Sequence, residues 1–184
     1  ACVLALYGQA MTPKPTAIPT PFRRQLRELS RLYDVTLGEK NAHENRLREP
    51  IASPFVLASL QENVQRAKEK LIAIEKEIDS LIATDTQLEQ DYVRMQTIPG
   101  VGPKTARALI AQFGDLRTYK REELVALVGV YPRAHQSGTS VLKKGKLARG
   151  GCAKERGSLY MAALSAMRHC PHMKRYAERF KSRG

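Results

Sequence analysis

Between Val130 and Lys146 the chain reads VYPRAHQSGTSVLKKGK. This stretch holds two serines, Ser137 and Ser140, on either side of Gly138 and Thr139. It also holds one imidazole, His135, and the cations Arg133, Lys143, Lys144 and Lys146. A serine hydroxyl is a weak nucleophile at neutral pH and attacks only when a base or a metal activates it. Cations at this density suit a phosphodiester, whose charge they neutralise and whose backbone they orient. Two readings are therefore open: a serine that does chemistry on phosphorus, or a basic loop that only touches a phosphate backbone.

A second phosphate-binding element lies upstream, in TIPGVGPKTARALIAQFGDL (Thr97 to Leu116). Gly100 and Gly102 allow a tight hairpin and let backbone N–H groups approach a phosphate at the N-terminus of the next helix. Pro103 opens that helix, Thr105 lies in its first turn, and Lys104 and Arg107 add positive charge. Ala106, Leu109, Ile110 and Phe113 form its predicted buried face. The pattern Ile-Pro-Gly-Val-Gly-x-x-x-Ala has the form of a helix-hairpin-helix, which reads backbone and not sequence. The competing reading is an ordinary αα-turn with glycine at its corner.

The charge distribution favours nucleic acid. Residues 1–96 carry 13 Lys+Arg against 13 Asp+Glu, whereas residues 97–184 carry 18 against 5. The whole excess of +13 thus falls in the C-terminal half, as expected for a neutral scaffold joined to a polyanion-binding module. The three cysteines, Cys2, Cys152 and Cys170, are scattered and suggest a reducing compartment. Cys152, His169, Cys170 and His172 lack a Cys-x-x-Cys pair, so no metal site is expected from them. With no long apolar run and no signal peptide, the expected location is cytoplasmic, with no membrane partner.

The elements that must position these residues are mostly helical. TPKPTAIPTP (Thr12 to Pro21) is an extended linker. A first helix follows, with Phe22, Leu26, Leu29, Tyr33 and Leu37 on one face. A second, capped at Ser53, carries Leu57, Leu60, Val64, Ala67, Leu71, Ile74, Ile78 and Leu81 at alternating spacings of three and four, a heptad seam. That seam is expected to persist without drift and to pair with the first helix or with a second chain, forming a dimer or tetramer. A break at Thr84 to Thr86 marks a kink or a new helix capped by Thr84 or Asp85. Arg121–Val130 reads as a short helix ending near Gly129, and the following basic stretch as a loop or β-hairpin. Two last helices are expected to pack through Leu159, Ala162, Ala163 and Ala166, and through Tyr176 and Phe180. The fold class is therefore mostly α: a coiled-coil helical hairpin (20–96), then a small helical domain (97–184).

The blocks IPGVGPKTARALIAQFGD, LVGVYPRAHQSGTS, ARGG and SLYMAALSAMRHCP occur in this order. In that combination the chain resembles the C-terminal part of the transposases of the insertion-sequence one-ten/eleven-eleven group. These are related to pilin-gene-inverting recombinases and are described as bridge-RNA-guided.

The resemblance implies a DNA recombinase with a structured RNA guide and a serine nucleophile in an SG motif, here Ser137. It demotes Ser140. It also implies an upstream RuvC-like domain whose carboxylates hold magnesium. ACVLALYG resembles the helix that follows those carboxylates, so residues 1–19 read as a remnant of that domain plus a linker, and the fragment by itself is expected to be inactive. On this reading Arg133, His135, Lys143 and Lys144 hold phosphate, and Lys146, Arg149, Lys154 and Arg156 contact DNA beside them. One departure is GGCAKERGSLYMA, where Cys152 replaces a basic residue and Glu155 an apolar one. The rival class is a non-enzymatic helix-hairpin-helix module that binds DNA or junctions.

Overall fold

The apolar stripe of the second long helix finds its partner within the same chain. A computed structural model describes residues 2–12, 20–137, 141–147 and 150–182, with side chains described outside 133–137 and 141–146. Helix α1 spans Cys2–Met11 and buries none of its residues. The proline-rich segment 13–19 lies outside the described residues. Helix α2 (Pro21–Arg46) starts where the Thr20 hydroxyl accepts the Arg23 N–H and Pro21 occupies the first turn, where a missing N–H costs nothing. Helix α3 (Pro54–Ala83) also opens on proline, and the Ser53 hydroxyl makes no capping bond. The connection, residues 47–53, is short, so α2 runs antiparallel along α3.

Val64, Ala67, Leu71, Ile74, Ile78 and Ile82 are the buried residues of α3. The expected seam thus holds from Val64 through Ile78, whereas at its start Leu57 is exposed and Leu60 half-buried, and at its end Ile82 and not Leu81 takes the next fully buried place. A straight α-helix has 3.6 residues per turn and drifts about 20° per heptad against a strict seven-residue repeat. On α2 the corresponding correction is Thr36, 0% exposed, in place of Leu37.

Helix α4 (Thr86–Gln96) is a new helix, N-capped by Asp85, whose Oδ1 accepts the N–H groups of Gln87 and Leu88 (3.0 and 3.2 Å). Helix α5 (Pro103–Phe113) follows, then a 3-10 turn (Leu116–Thr118) and α6 (Arg121–Val128), closed by Gly129 in the left-handed conformation. Strands β1 (Pro132–Ser137) and β2 (Val141–Leu147) form an antiparallel hairpin. Helices α7 (Ala153–His169) and α8 (Pro171–Lys181) complete the order. The fold is mostly α.

One core joins these parts. Leu26 of α2, Ile74, Ile78 and Ile82 of α3, Leu88 and Met95 of α4, five residues of α5 and Val128 of α6 are buried together. Leu159 and Cys152 pack against them from α7 and the residue before it. The base of the helical hairpin and the basic helices therefore share a hydrophobic interior across residues 96 and 97. Three inward residues expected on the last helices differ. Ala163 is exposed, with Glu155, Ala162 and Ala166 the buried residues of α7. Tyr176 and Phe180 are each 54% exposed and lie on no packed face among the described residues.

Candidate nucleic-acid interface

The turn between α4 and α5 is built by its sequence. The Val101 N–H donates to the Ile98 carbonyl (2.9 Å) across Pro99 and Gly100. Proline presets φ at the first central position, and Gly100 has φ +90° at the second, as a type II turn requires. A side chain at Gly100 would also place its Cβ 2.1 Å from the Ala162 carbonyl oxygen of α7. Gly100 is thus needed for conformation and for close approach to α7. Gly102 differs: its φ is −90°, and a Cβ there would meet nothing within 4 Å. It is the N-cap of α5 and offers no side-chain cap. Pro103 has no N–H, and the first backbone bond of α5 runs from Ala106 to the Gly102 carbonyl. The N–H groups of Lys104 and Thr105 therefore lack helical acceptors and form the positive end of the helix dipole. Lys104 is exposed, its Nζ 5.6 Å from the centre of the Tyr33 ring.

Arg107 is placed differently from the sequence expectation. Its side chain is 14% exposed and turned toward α3. Nε and Nη2 donate to the two carboxylate oxygens of Asp79 (2.7 and 2.5 Å), and Nη1 lies 3.1 Å from Glu75 Oε2. The Asp79 hydrogen bond raises the guanidinium pKa above its ordinary value. Tyr33 joins the cluster, its pKa pushed up to about 12 by burial and then by Glu75. Burial likewise raises that of Tyr92. These bonds engage Arg107 as a clasp between α5 and the helical hairpin, not as a free phosphate ligand. Two more arginines do related work at the other end of α5: Arg23 donates to the Phe113 carbonyl (2.7 Å) and Arg27 to that of Gln112 (2.9 Å). The last carbonyls of a helix have no partners within it, so these cations both satisfy them and oppose the negative end of the dipole. Nothing in the local sequence announces these long-range pairings.

The β-hairpin leaves the core through a pinched neck. A Cβ at Gly129 would lie 2.1 Å from the Gly150 carbonyl oxygen, and one at Gly151 would lie 2.5 Å from that of Leu127. Only glycine allows the two chain segments to approach this closely. The Cys152 N–H donates to the Leu127 carbonyl (2.9 Å), and Arg156 Nη1 donates to the carbonyls of Val128 (3.1 Å) and Gly150 (3.0 Å). Arg156, expected on DNA, is thus a strut of the neck. Lys154 is ion-paired with Asp34 of α2. Cys152 and Glu155, the residues that depart from the family pattern, both face inward. Cys152 Sγ receives a hydrogen bond from Gln112 (3.0 Å), and Glu155 is 6% exposed in a cleft shared with Arg27, Arg31 and Lys154.

Beyond the neck, Pro132 opposes Leu147 and Arg133 opposes Lys146. After a register shift, His135 opposes Lys143, Gln136 opposes Leu142 and Ser137 opposes Val141. Two residues, Lys144 and Gly145, face the single Ala134 there, as in a β-bulge. With a rise of about 3.3 Å per residue, Ser137 stands about 17 Å along the strand from Pro132. By the two-residue period of the strand, Ser137, His135 and Lys143 hold register positions on one face. Ser140 and Arg149 lie outside the described residues, as do the side chains of Arg133, His135, Ser137, Lys143, Lys144 and Lys146.

Among the described residues no cluster of three or more His, Cys, Asp or Glu is placed to hold a metal. Asp79 and Glu75 share Arg107, Asp34 pairs with Lys154, and Asp115 pairs with Arg117. These carboxylates do not fit the magnesium site that the family resemblance implies. No helix among them is long and apolar enough to cross a membrane.

The class is an α-helical module in which a helical hairpin and a basic helical cluster share one core and carry a two-stranded arm. Residues 92–178 match the family described as transposase IS116/IS110/IS902. The pilin gene-inverting protein of Moraxella bovis is 26% identical over 143 residues, 77% of this chain and 44% of that protein. The transposase for insertion sequence element IS1111A of Coxiella burnetii is 36% identical over 81 residues, 44% of this chain and 22% of that protein. A probable family 20 transposase of Pseudomonas aeruginosa is 25% identical over 124 residues, 66% of this chain and 35% of that protein. The chain is similar to the IS116/IS110/IS902 transposase family over residues 92–178 and spans less than half the length of these relatives.

Proposed function

We propose that this chain is the DNA-holding and nucleophile-bearing portion of a DNA recombinase, and that Ser137 attacks a phosphodiester. In that step the Ser137 Oγ–P bond forms and the P–O3′ bond breaks. The serine proton leaves to a base and the 3′ oxygen departs as a hydroxyl. Attack by a 3′-hydroxyl of another strand reverses the step, so bond energy is conserved and no net hydrolysis occurs. The observation that carries this reading is the position of Ser137, about 17 Å out on an arm anchored by a glycine-pinched neck. Such a position suits a nucleophile that reaches a strand held elsewhere and is completed by groups outside the packed helices. His135 and Lys143, on the same-face register positions, are the candidates to hold the attacked phosphate.

The α4–α5 turn acts as a helix-hairpin-helix on this reading, with the free N–H groups of Lys104 and Thr105 and the Lys104 ammonium on a backbone phosphate. Carboxylates in an upstream RuvC-like segment would hold magnesium, which when bound polarises the phosphate. A structured RNA guide and a bacterial cytoplasmic location belong to the same reading. Self-association, to a dimer or tetramer, would use the open tip of the helical hairpin, where Phe55 is 82% exposed beside Val56 and Leu57. It would not use the buried seam, because α2 already fills it.

The test joins the upstream segment to this chain and traps covalent protein–DNA product with and without Ser137→Ala. Phosphoserine at residue 137 in the unsubstituted protein, and loss of the trapped product in the variant, are expected. Covalent linkage persisting in Ser137→Ala would sink the assignment. Normal duplex binding with no linkage in either protein would favour the non-enzymatic binding module.

A further inference from the structure

Helix α8 presents an unpartnered surface that the turn and the arm do not use. Ala177 is the only residue between Pro171 and Lys181 that is not exposed, so α8 rests on α7 along a single narrow line. Tyr176 and Phe180 stand outside that line with their ring centres 4.8 Å apart and their planes tilted by 52°. The sequence RYAERF repeats an Arg-aromatic pair after four residues: Arg175 with Tyr176, Arg179 with Phe180. Four residues advance a helix by about 6 Å and return to nearly the same face. An arginine strip therefore runs beside an aromatic strip. Lys174 and Lys181 add charge, against the one carboxylate of Glu178. Among the described residues none of these four cations is ion-paired.

We infer that this ridge binds an unpaired DNA strand, with bases stacked on Tyr176 and Phe180 and phosphates on Arg175 and Arg179. Charge complementarity decides the occupant. A protein partner would have to desolvate two arginines and two lysines beside a small apolar strip, and interface cores are depleted in lysine. A single strand uses both features at once, because every base has a π-face and every linkage a negative charge. The two ring planes are tilted by 52° with centres 4.8 Å apart, which does not match the parallel rise of about 3.4 Å in a stacked strand, so the ridge favours bases that have left their stack. This rests on reading the chain as DNA-handling. It adds a site for the strand that becomes unpaired when duplexes are exchanged.

The experiment measures fluorescence anisotropy of the chain with labelled oligo(dT) and with a blunt duplex of equal length. Tyr176→Leu/Phe180→Leu keeps helix propensity and apolar area but removes the ring faces. It is expected to weaken oligo(dT) binding about tenfold while duplex binding changes less than about twofold. Arg175→Gln/Arg179→Gln should lower the salt slope for oligo(dT) by about 1.4, at about 0.7 per strand phosphate. Unchanged oligo(dT) affinity in the leucine variant, with its helicity intact by circular dichroism, overturns the inference. So does conversion of an associated form to monomer without loss of oligo(dT) binding, which would make the ridge a contact between copies. Tighter binding of oligo(rU) through the same residues overturns the assignment to DNA. Failure of the unsubstituted chain to bind the duplex would sink the DNA-handling reading itself, a result separate from any effect of the α8 variants.

Discussion

Arg107→Met distinguishes a clasp from a phosphate ligand. The substitution keeps the length of the side chain and removes its charge. It leaves Asp79 and Glu75, four residues apart on α3, facing each other without their shared cation. Breaking a fully buried pair costs about 3–5 kcal/mol, and an exposed pair contributes about 1 kcal/mol or less. Arg107 is 14% exposed, but Glu75 and Asp79 are 33% and 40% exposed, so water screens the orphaned carboxylates. The expected loss is about 2 kcal/mol, between those limits. For a chain of this size that corresponds to a Tm lower by about 4–8 °C. In a cycle with Asp79→Asn, the two substitutions should couple by about 1 kcal/mol. Duplex binding by the folded variant should keep its salt slope. A phosphate ligand would behave in the opposite way, with Tm unchanged and the slope reduced by about 0.9. That second pattern, or strict additivity in the cycle, would refute the clasp.

Four further outcomes are expected. Gly100→Ala should destabilise by about 3 kcal/mol or more, because φ is +90° and the new methyl meets the Ala162 carbonyl, whereas Gly102→Ala should lose about 0.5 kcal/mol or less in chemical denaturation. Asp85→Ala removes the cap of α4 and should cost about 1 kcal/mol in the same assay. Tyr33 has a folded pKa raised to about 12, so its contribution to stability is intact below pH 10 and lost as pH rises toward 12; Tyr33→Phe should reduce that alkaline loss and remove one late-titrating phenol from the ultraviolet titration. Phe55→Ser with Val56→Ser should weaken self-association by sedimentation velocity without lowering Tm, since both side chains are exposed in the single chain.

Local signals were legible wherever a short segment contains its own cause. The three-and-four spacing of apolar residues marks α3, the break at Thr84 to Thr86 marks the boundary of α4 as a kink or a new helix, and the glycines mark the turn before α5. The basic stretch was readable as a loop or a hairpin, and Ser137 became a candidate through the family blocks and not through spacing alone. Other expectations were right in residue type and wrong in environment. Arg107 and Arg156 are cations near the interface, yet one clasps α3 and the other braces the neck. Tyr176 and Phe180 are amphipathic in pattern, yet α8 has no neighbour on that side among the described residues.

Sequence alone determined the helical class, the concentration of positive charge after residue 96, and the family blocks, because composition, period and motif are local properties of the chain. Only the tertiary structure decided that α2 fills the seam of α3, that Gly100 is held by α7 and Gly102 is not, and which cations are already neutralised. Those outcomes depend on groups 28 to 120 residues apart meeting in space, and the enthalpy of such meetings leaves no periodic trace along the chain.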